Sequence, residues 1–286
     1  MSAYSFSRVP VKVPLVKTKN RSIQTKIPAP GTEDILIKLD NYESRSMQGT
    51  VPLVWESAHG FNVFDIKGNK WIDFTSAIFL TNIGHSNPRL LKAIRATLEK
   101  KLIHHFTYPS EIKARYYEHL VDFTEGEFDK AFLLSGGTEA TEAVLKLIRM
   151  NGQRIGKKRL GVICMEGSFH GRTLGAQLLG GIDAQKEWIG FAEPDIFHIR
   201  FPYPWVLKGG VSPEHFLINE LSRLENNGIC LETDISGVML ETFQGWGALF
   251  YPKSFVKAIE TFCKKRKVLL AMDEVQAGFG RTGSKF

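Results

Sequence analysis

Cysteine is scarce. Only Cys164, Cys230 and Cys263 occur among 286 residues; they are far apart and odd in number, and lack paired metal-ligand spacing. A disulfide framework is therefore excluded, and the expectation is three buried thiols in a reducing, cytoplasmic compartment. Long apolar runs are missing too. None approaches the roughly 20 residues that cross a bilayer, and no charged-then-apolar leader opens the chain, so neither membrane insertion nor export is expected. Acidic residues are absent before Glu33, whereas Arg8, Lys12, Lys17, Lys19, Arg21 and Lys26 precede it. Much of the formal charge of +7 thus sits in a basic arm. Pro10 and Pro14 would interrupt an amphipathic transit helix, and no nucleic-acid-binding motif accompanies the charge, so an extended arm packed on another surface is expected. The dinucleotide glycine spacing is also absent, which argues against a nicotinamide enzyme.

What is present is a large apolar fraction, 43% of the chain, arranged in alternating strand and helix patterns. Residues 1–40 read as extended, with Pro28 and Pro30 preventing helix. A hairpin is expected through Phe61, Val63 and Asp65, turning at Gly68 and returning through Trp71 and Phe74. Helical spacing follows at Leu90, Leu91, Ile94, Leu98 and Leu102, and again over Glu111 to Phe123. Strands are expected at Ala131–Leu134, Leu160–Met165, Asp195–Ile199 and Ile235–Leu240. Ser212, Pro213 and Gly228 mark a helix start and stop, and Pro252 to Lys267 reads as another helix. The apolar run from Val268 reads as a strand buried on both faces and ending at Asp273. This alternation predicts an α/β chain whose mostly parallel sheet is covered by helices.

Four loops at strand ends carry the chemistry. Ser135-Gly136-Gly137-Thr138-Glu139-Ala140 leads into a helix, where Gly137 and Thr138 could hold an anion on unpaired amides and a hydroxyl. A glycine-rich turn with Thr138 as N-cap is the bland alternative. Glu166-Gly167-Ser168-Phe169-His170-Gly171-Arg172-Thr173 offers an aromatic ring and an imidazole on which a planar group could stack. No partner at helical spacing makes His170 a metal ligand, so no metal is expected; a core Phe169 and a surface His170 form the bland reading. Glu241 ends a third strand. Asp273, with Gln276 three residues on, ends a fourth, and glycines 278, 280 and 283 follow. Ligands of open α/β sheets bind outside such carboxyl ends.

The succession Gly-Gly-Thr-Glu-Ala, Phe-His-Gly-Arg-Thr, Glu-Thr-Phe-Gln-Gly and Asp-Glu-Val-Gln-Ala-Gly-Phe-Gly-Arg-Thr-Gly resembles the class III pyridoxal-phosphate aminotransferases, such as the gamma-aminobutyrate, ornithine and acetylornithine enzymes. Gly84-His85-Ser86-Asn87-Pro88 and Ile27-Pro28-Ala29-Pro30 extend the resemblance over nearly the whole chain. It implies a fold type I transferase with an N-terminal arm (1–40), a segment contributing to a small domain (41–105) and part of a large pyridoxal-phosphate-binding domain (106–286). It further implies that Gly137 and Thr138 hold the cofactor phosphate, that Phe169 lies over the ring with His170 beside it, and that Asp273 pairs with the pyridinium nitrogen. Gln276 would bond the phenolic oxygen, Glu241 would line the substrate side as a catalytic residue, and Ser76 to Phe79 would floor the pocket. An amine donor, a keto acid and a homodimer are the implied partners. A racemase or aminomutase shares these motifs, and a non-catalytic binding subunit is a further alternative.

Two departures stand out. Where dual-substrate relatives carry a gating glutamate five positions after the first, this chain has Trp246. The family's Schiff-base lysine lies beyond the Asp-x-x-Gln motif and is absent here; Lys285 is too close to serve. The expectation is an N-terminal piece of a longer enzyme, truncated before the C-terminal domain and inactive alone.

Overall fold

The computed structural model describes residues 6–44, 51–105, 107–207 and 209–286. They form two compact units, divided between Ala114 and Arg115.

The first unit carries a five-stranded antiparallel sheet in the order β1-β2-β5-β4-β3: β1 (Val16–Lys17), β2 (Ser22–Ile23), β3 (Ser57–His59), β4 (Asn62–Phe64) and β5 (Lys70–Ile72). The hairpin expected from sequence is β4–β5, with Val63 opposite Trp71 and Gly68 turning at φ 75°. Asn69 is wholly buried and ties the sheet together. Its Oδ1 accepts from Gln24 N, and its Nδ2 donates to Thr25 Oγ1 and Asp65 Oδ2. The expectation of an extended chain to residue 40 fails, because a helix spans Glu33–Tyr42. Pro28 and Pro30 constrain only what precedes it, and burial of Leu36 anchors the helix. The helix Pro88–Glu99 starts where Asn87 caps the amide of Arg89. Asp73 accepts from the His85 ring at 2.8 Å. Burial opposes its ionisation, but donors from Thr75, His85 and Ala77 outweigh that and hold its pKa near about 2.

The second unit is a four-stranded parallel sheet in the order β11-β8-β6-β7, built from β6 (Gly161–Met165), β7 (Ile196–Ile199), β8 (Ile235–Glu241) and β11 (Leu269–Asp273). A short hairpin, β9 (Phe243–Gln244) with β10 (Leu249–Phe250), follows β8. Side chains alternate across a strand, and each face of the sheet has its own core. Val162, Cys164 and Met239 pack with Leu145 and Ile148 of the helix Gly137–Arg154. Ile163, Met165, Val238 and Leu240 pack with Phe216 and Leu224 of the helix Pro213–Asn226 and with Phe255, Ile259 and Phe262 of the helix Lys253–Arg266. Parallel strands covered on both sides explain why these runs read as unbroken apolar sequence.

Three sequence expectations are corrected. Ala131–Leu134 is not a strand: no neighbour pairs with it among the described residues, and Phe132 is 73% exposed. The strand ending at Asp273 lies at the edge of the described sheet, not buried on both faces, with Leu269 and Met272 more than a third exposed. Cys230 is exposed, while Cys164 and Cys263 are buried.

Candidate active site

The parallel register of β8 and β11 sets Asp273 directly beside Glu241. Both are the last residues of their strands, so their carboxylates emerge together at the carboxyl edge of the sheet. The loop leaving β6 comes to the same edge. It is pinned there by Gln244, whose Nε2 donates to Glu166 O at 2.9 Å while its Oε1 accepts from Tyr203 Oη at 2.6 Å. Thr141 Oγ1 donates to His170 O at 2.7 Å and fixes the loop from the helix side.

These contacts enclose a cavity with about 450 Å³ of space between atoms, part of it open to solvent, lined by Gly137, Thr138, Phe169, His170, Glu241 and Gln276 together with Asp273, Val275 and Phe243. Every cofactor-site residue picked out from the sequence therefore meets in one place. Ser76–Phe79, expected as the pocket floor, belongs to the first unit, where it forms a turn of left-handed residues.

The two carboxylates have unlike surroundings. Asp273 Oδ2 accepts from His170 Nδ1 at 2.8 Å, and Asp273 Oδ1 accepts from Val275 N at 3.0 Å. Among the described residues Glu241 has two long backbone donors, Gly245 N at 3.2 Å and Phe169 N at 3.4 Å. Burial is the main reason its pKa is pushed up to about 7; the Asp273 charge adds to this, while His170 and the two amides work against it.

The helix opening at Gly137 is capped unexpectedly. Gly136, not Thr138, is the N-cap, and Glu139 reaches back to accept from the amides of Ser135 and Gly136 at 3.0 Å each. Thr138 lies inside the first turn, at the cavity. Phe169 and His170 reverse the bland reading as well: the ring is half-buried and the imidazole is buried.

A family model described as aminotransferase class-III matches residues 43–286. The chain belongs to this family. It is 30% identical over 259 residues to a probable 4-aminobutyrate aminotransferase of Bacillus subtilis, covering 87% of this chain and 57% of that protein. It is 35% identical over 230 residues to an acetylornithine aminotransferase of Bacillus cereus, covering 79% and 52%. Among solved structures it resembles the taurine:2-oxoglutarate aminotransferase of Bifidobacterium kashiwanohense, held with PLP and glutamate. The TM-score is 0.76 at 25% identity, covering 89% of this chain and 58% of that one. The chain thus spans between half and three-fifths of the length of these class III proteins.

Class III aminotransferases use pyridoxal phosphate, and the cavity suits such a group. His170 Nε2 and Gln276 Oε1 are buried with no partner among the described residues, so two polar atoms await a polar ligand. At Gly137 a Cβ would lie 2.9 Å from Val275, and its absence keeps the backbone close to the cavity. No lysine lines this cavity among the described residues.

Sequence reasoning passed over three residues here. Phe243 and Val275 supply apolar wall, and Glu142 stands behind Thr138. Glu142 was open to discovery, since it follows Thr138 by four residues and so shares its helix face.

Proposed function

We propose that the whole protein is a pyridoxal-phosphate-dependent transaminase that moves an amino group from an amine or amino-acid donor to a keto acid. The observation that carries this reading is the convergence of the His170–Asp273 pair, Glu241, Gln276 and the Gly137–Thr138 helix start on one cavity. When bound, the cofactor supplies an electron sink for the carbanion left as the donor loses its alpha proton.

The residues divide the remaining work. Asp273 would meet the ring nitrogen and favour its protonated form; His170 and the Val275 amide hold the two Asp273 oxygens in place. Phe169 would cover one face of the ring. Gln276 would bond the phenolic oxygen, and Gly137 and Thr138 would take the phosphate with the helix's first amides. Glu241, with a pKa near about 7, can hold or release a proton on the substrate side close to neutral pH. Trp246 is 65% exposed in the turn between β9 and β10, where dual-substrate relatives have a glutamate. The donor is therefore one that is not handled like gamma-aminobutyrate. The protein works in the cytoplasm as a homodimer.

Keto-acid consumption against a panel of amine donors, measured on the protein as its gene encodes it, tests this. Stoichiometric conversion of keto acid to amino acid is the expected result. Proton exchange without keto-acid consumption would instead indicate a racemase or aminomutase, and gamma-aminobutyrate turnover matching the best donor would overturn the role given to Trp246.

A further inference from the structure

We propose that Thr173 and Glu142 are positioning residues that hold the hydroxyl of Thr138 at the phosphate end of the cavity. This rests on the cofactor reading given above. Thr173 Oγ1 donates to Glu142 Oε1 at 2.5 Å, and Ala176 N donates to the same oxygen at 3.0 Å. An ionised carboxylate only accepts, and a threonine hydroxyl has a single proton. Thr173 therefore spends its proton on Glu142, and the 2.9 Å contact between Thr138 Oγ1 and Thr173 Oγ1 runs from Thr138 to Thr173. The hydroxyls form a chain of one polarity, anchored on Glu142.

Two further features converge on the same oxygen. The amide of Thr173 points at Thr138 Oγ1 from 3.4 Å. A Cβ at Gly171 would sit 2.2 Å from Thr138 Oγ1, and Gly171 adopts φ 137°, so only glycine leaves the hydroxyl its place. The oxygen is thus fixed before any ligand arrives. To donate to a phosphate oxygen, Thr138 turns its proton by rotation about the Cβ–Oγ bond and gives up its bond to Thr173. The Thr173 amide is then the donor left on the Thr138 oxygen, and the bond from Thr173 Oγ1 to Glu142 keeps that segment in place. Ordering the donor in advance reduces the cost of binding. Glu142 would repel a phosphate directly, but its Oε1 is engaged by two donors and it reaches the anion site through Thr173.

Calorimetric binding of pyridoxamine phosphate and of pyridoxamine to the cofactor-free protein as its gene encodes it separates the roles, because only the first ligand carries the phosphate. Thr173→Val, which removes the bond anchoring residue 173 to the Glu142 carboxylate, should weaken pyridoxamine phosphate by about tenfold and leave pyridoxamine within about twofold. Glu142→Gln, which keeps an acceptor without the charge, should weaken it by about threefold. Thr173→Ser should bind like the parent chain. Unchanged affinity in Thr173→Val, or equal losses for both ligands, would overturn the relay alone. If the parent chain binds pyridoxamine phosphate no better than pyridoxamine, the cofactor reading of the cavity falls and the relay falls with it.

Discussion

Strands β8 and β11 are paired neighbours, each an apolar run that ends on a carboxylate, and they occupy opposite situations. All seven residues of β8 are buried, whereas β11 forms the edge of the described sheet and is half exposed along its length. Their tips contrast in the other sense. Glu241, at the buried strand, has weak partners and a pKa pushed up to about 7. Asp273, at the exposed strand, has a buried imidazole and a backbone amide on its two oxygens. Burial of a strand and satisfaction of the charge at its end are therefore independent. A carboxylate's chemistry follows from the donors within reach, and here the imidazole that distinguishes Asp273 comes from another strand's loop.

Core substitution should break the comparison most strongly. Leu240→Ala, at a fully buried site, should cost about 2–5 kcal/mol of unfolding free energy in urea titration. A milder loss would mean that the sheet collapses around the gap.

Titration sharpens the contrast between the tips. The folded-state pKa of Glu241 lies above the ordinary glutamate value of 4.5, so the folded chain holds a proton that the unfolded chain releases. The stability from Glu241 is then full below about pH 4.5 and is lost as pH rises through about 7, a difference of about 3 kcal/mol. Glu241→Gln cannot ionise. Relative to the parent, it should gain stability between pH 5 and pH 8 in denaturant titrations, and parallel curves for the two proteins would refute this.

At the other tip, Asp273→Asn should raise the dissociation constant of pyridoxamine phosphate by about 100-fold, because the ring nitrogen loses its charged partner. The smallest effect is expected on the exposed strand. Met272→Ala, at a residue 38% exposed, should cost less than about 1 kcal/mol. A cost as large as that of Leu240→Ala would remove the distinction between the two strands.

The legibility of these features follows from their range. The helix starting at Pro213 was readable because its signals are local: Ser212 caps the amide of His215 at 3.2 Å, and proline occupies the first turn. The hairpin through Gly68 was readable for the same reason. Ala131–Leu134 misled because apolar composition does not supply a strand partner, and Glu33–Tyr42 was hidden because two prolines upstream dominated the reading. The run before Asp273 was recognisable as a strand, but its place in the sheet depends on which strands lie beside it.

The sequence by itself determined most of the elements and the family, because helix caps, turns and apolar periodicity act over a few residues and the four motifs are contiguous. It also picked out residues that line one cavity. Only the tertiary structure decided that Asp273 pairs with His170, 103 positions away, that burial makes Glu241 a weak acid, and that Thr138, Thr173 and Glu142 share a chain of hydrogen bonds. Those properties depend on distance and dielectric between segments remote in sequence, which meet only when the parallel register brings the strand ends together.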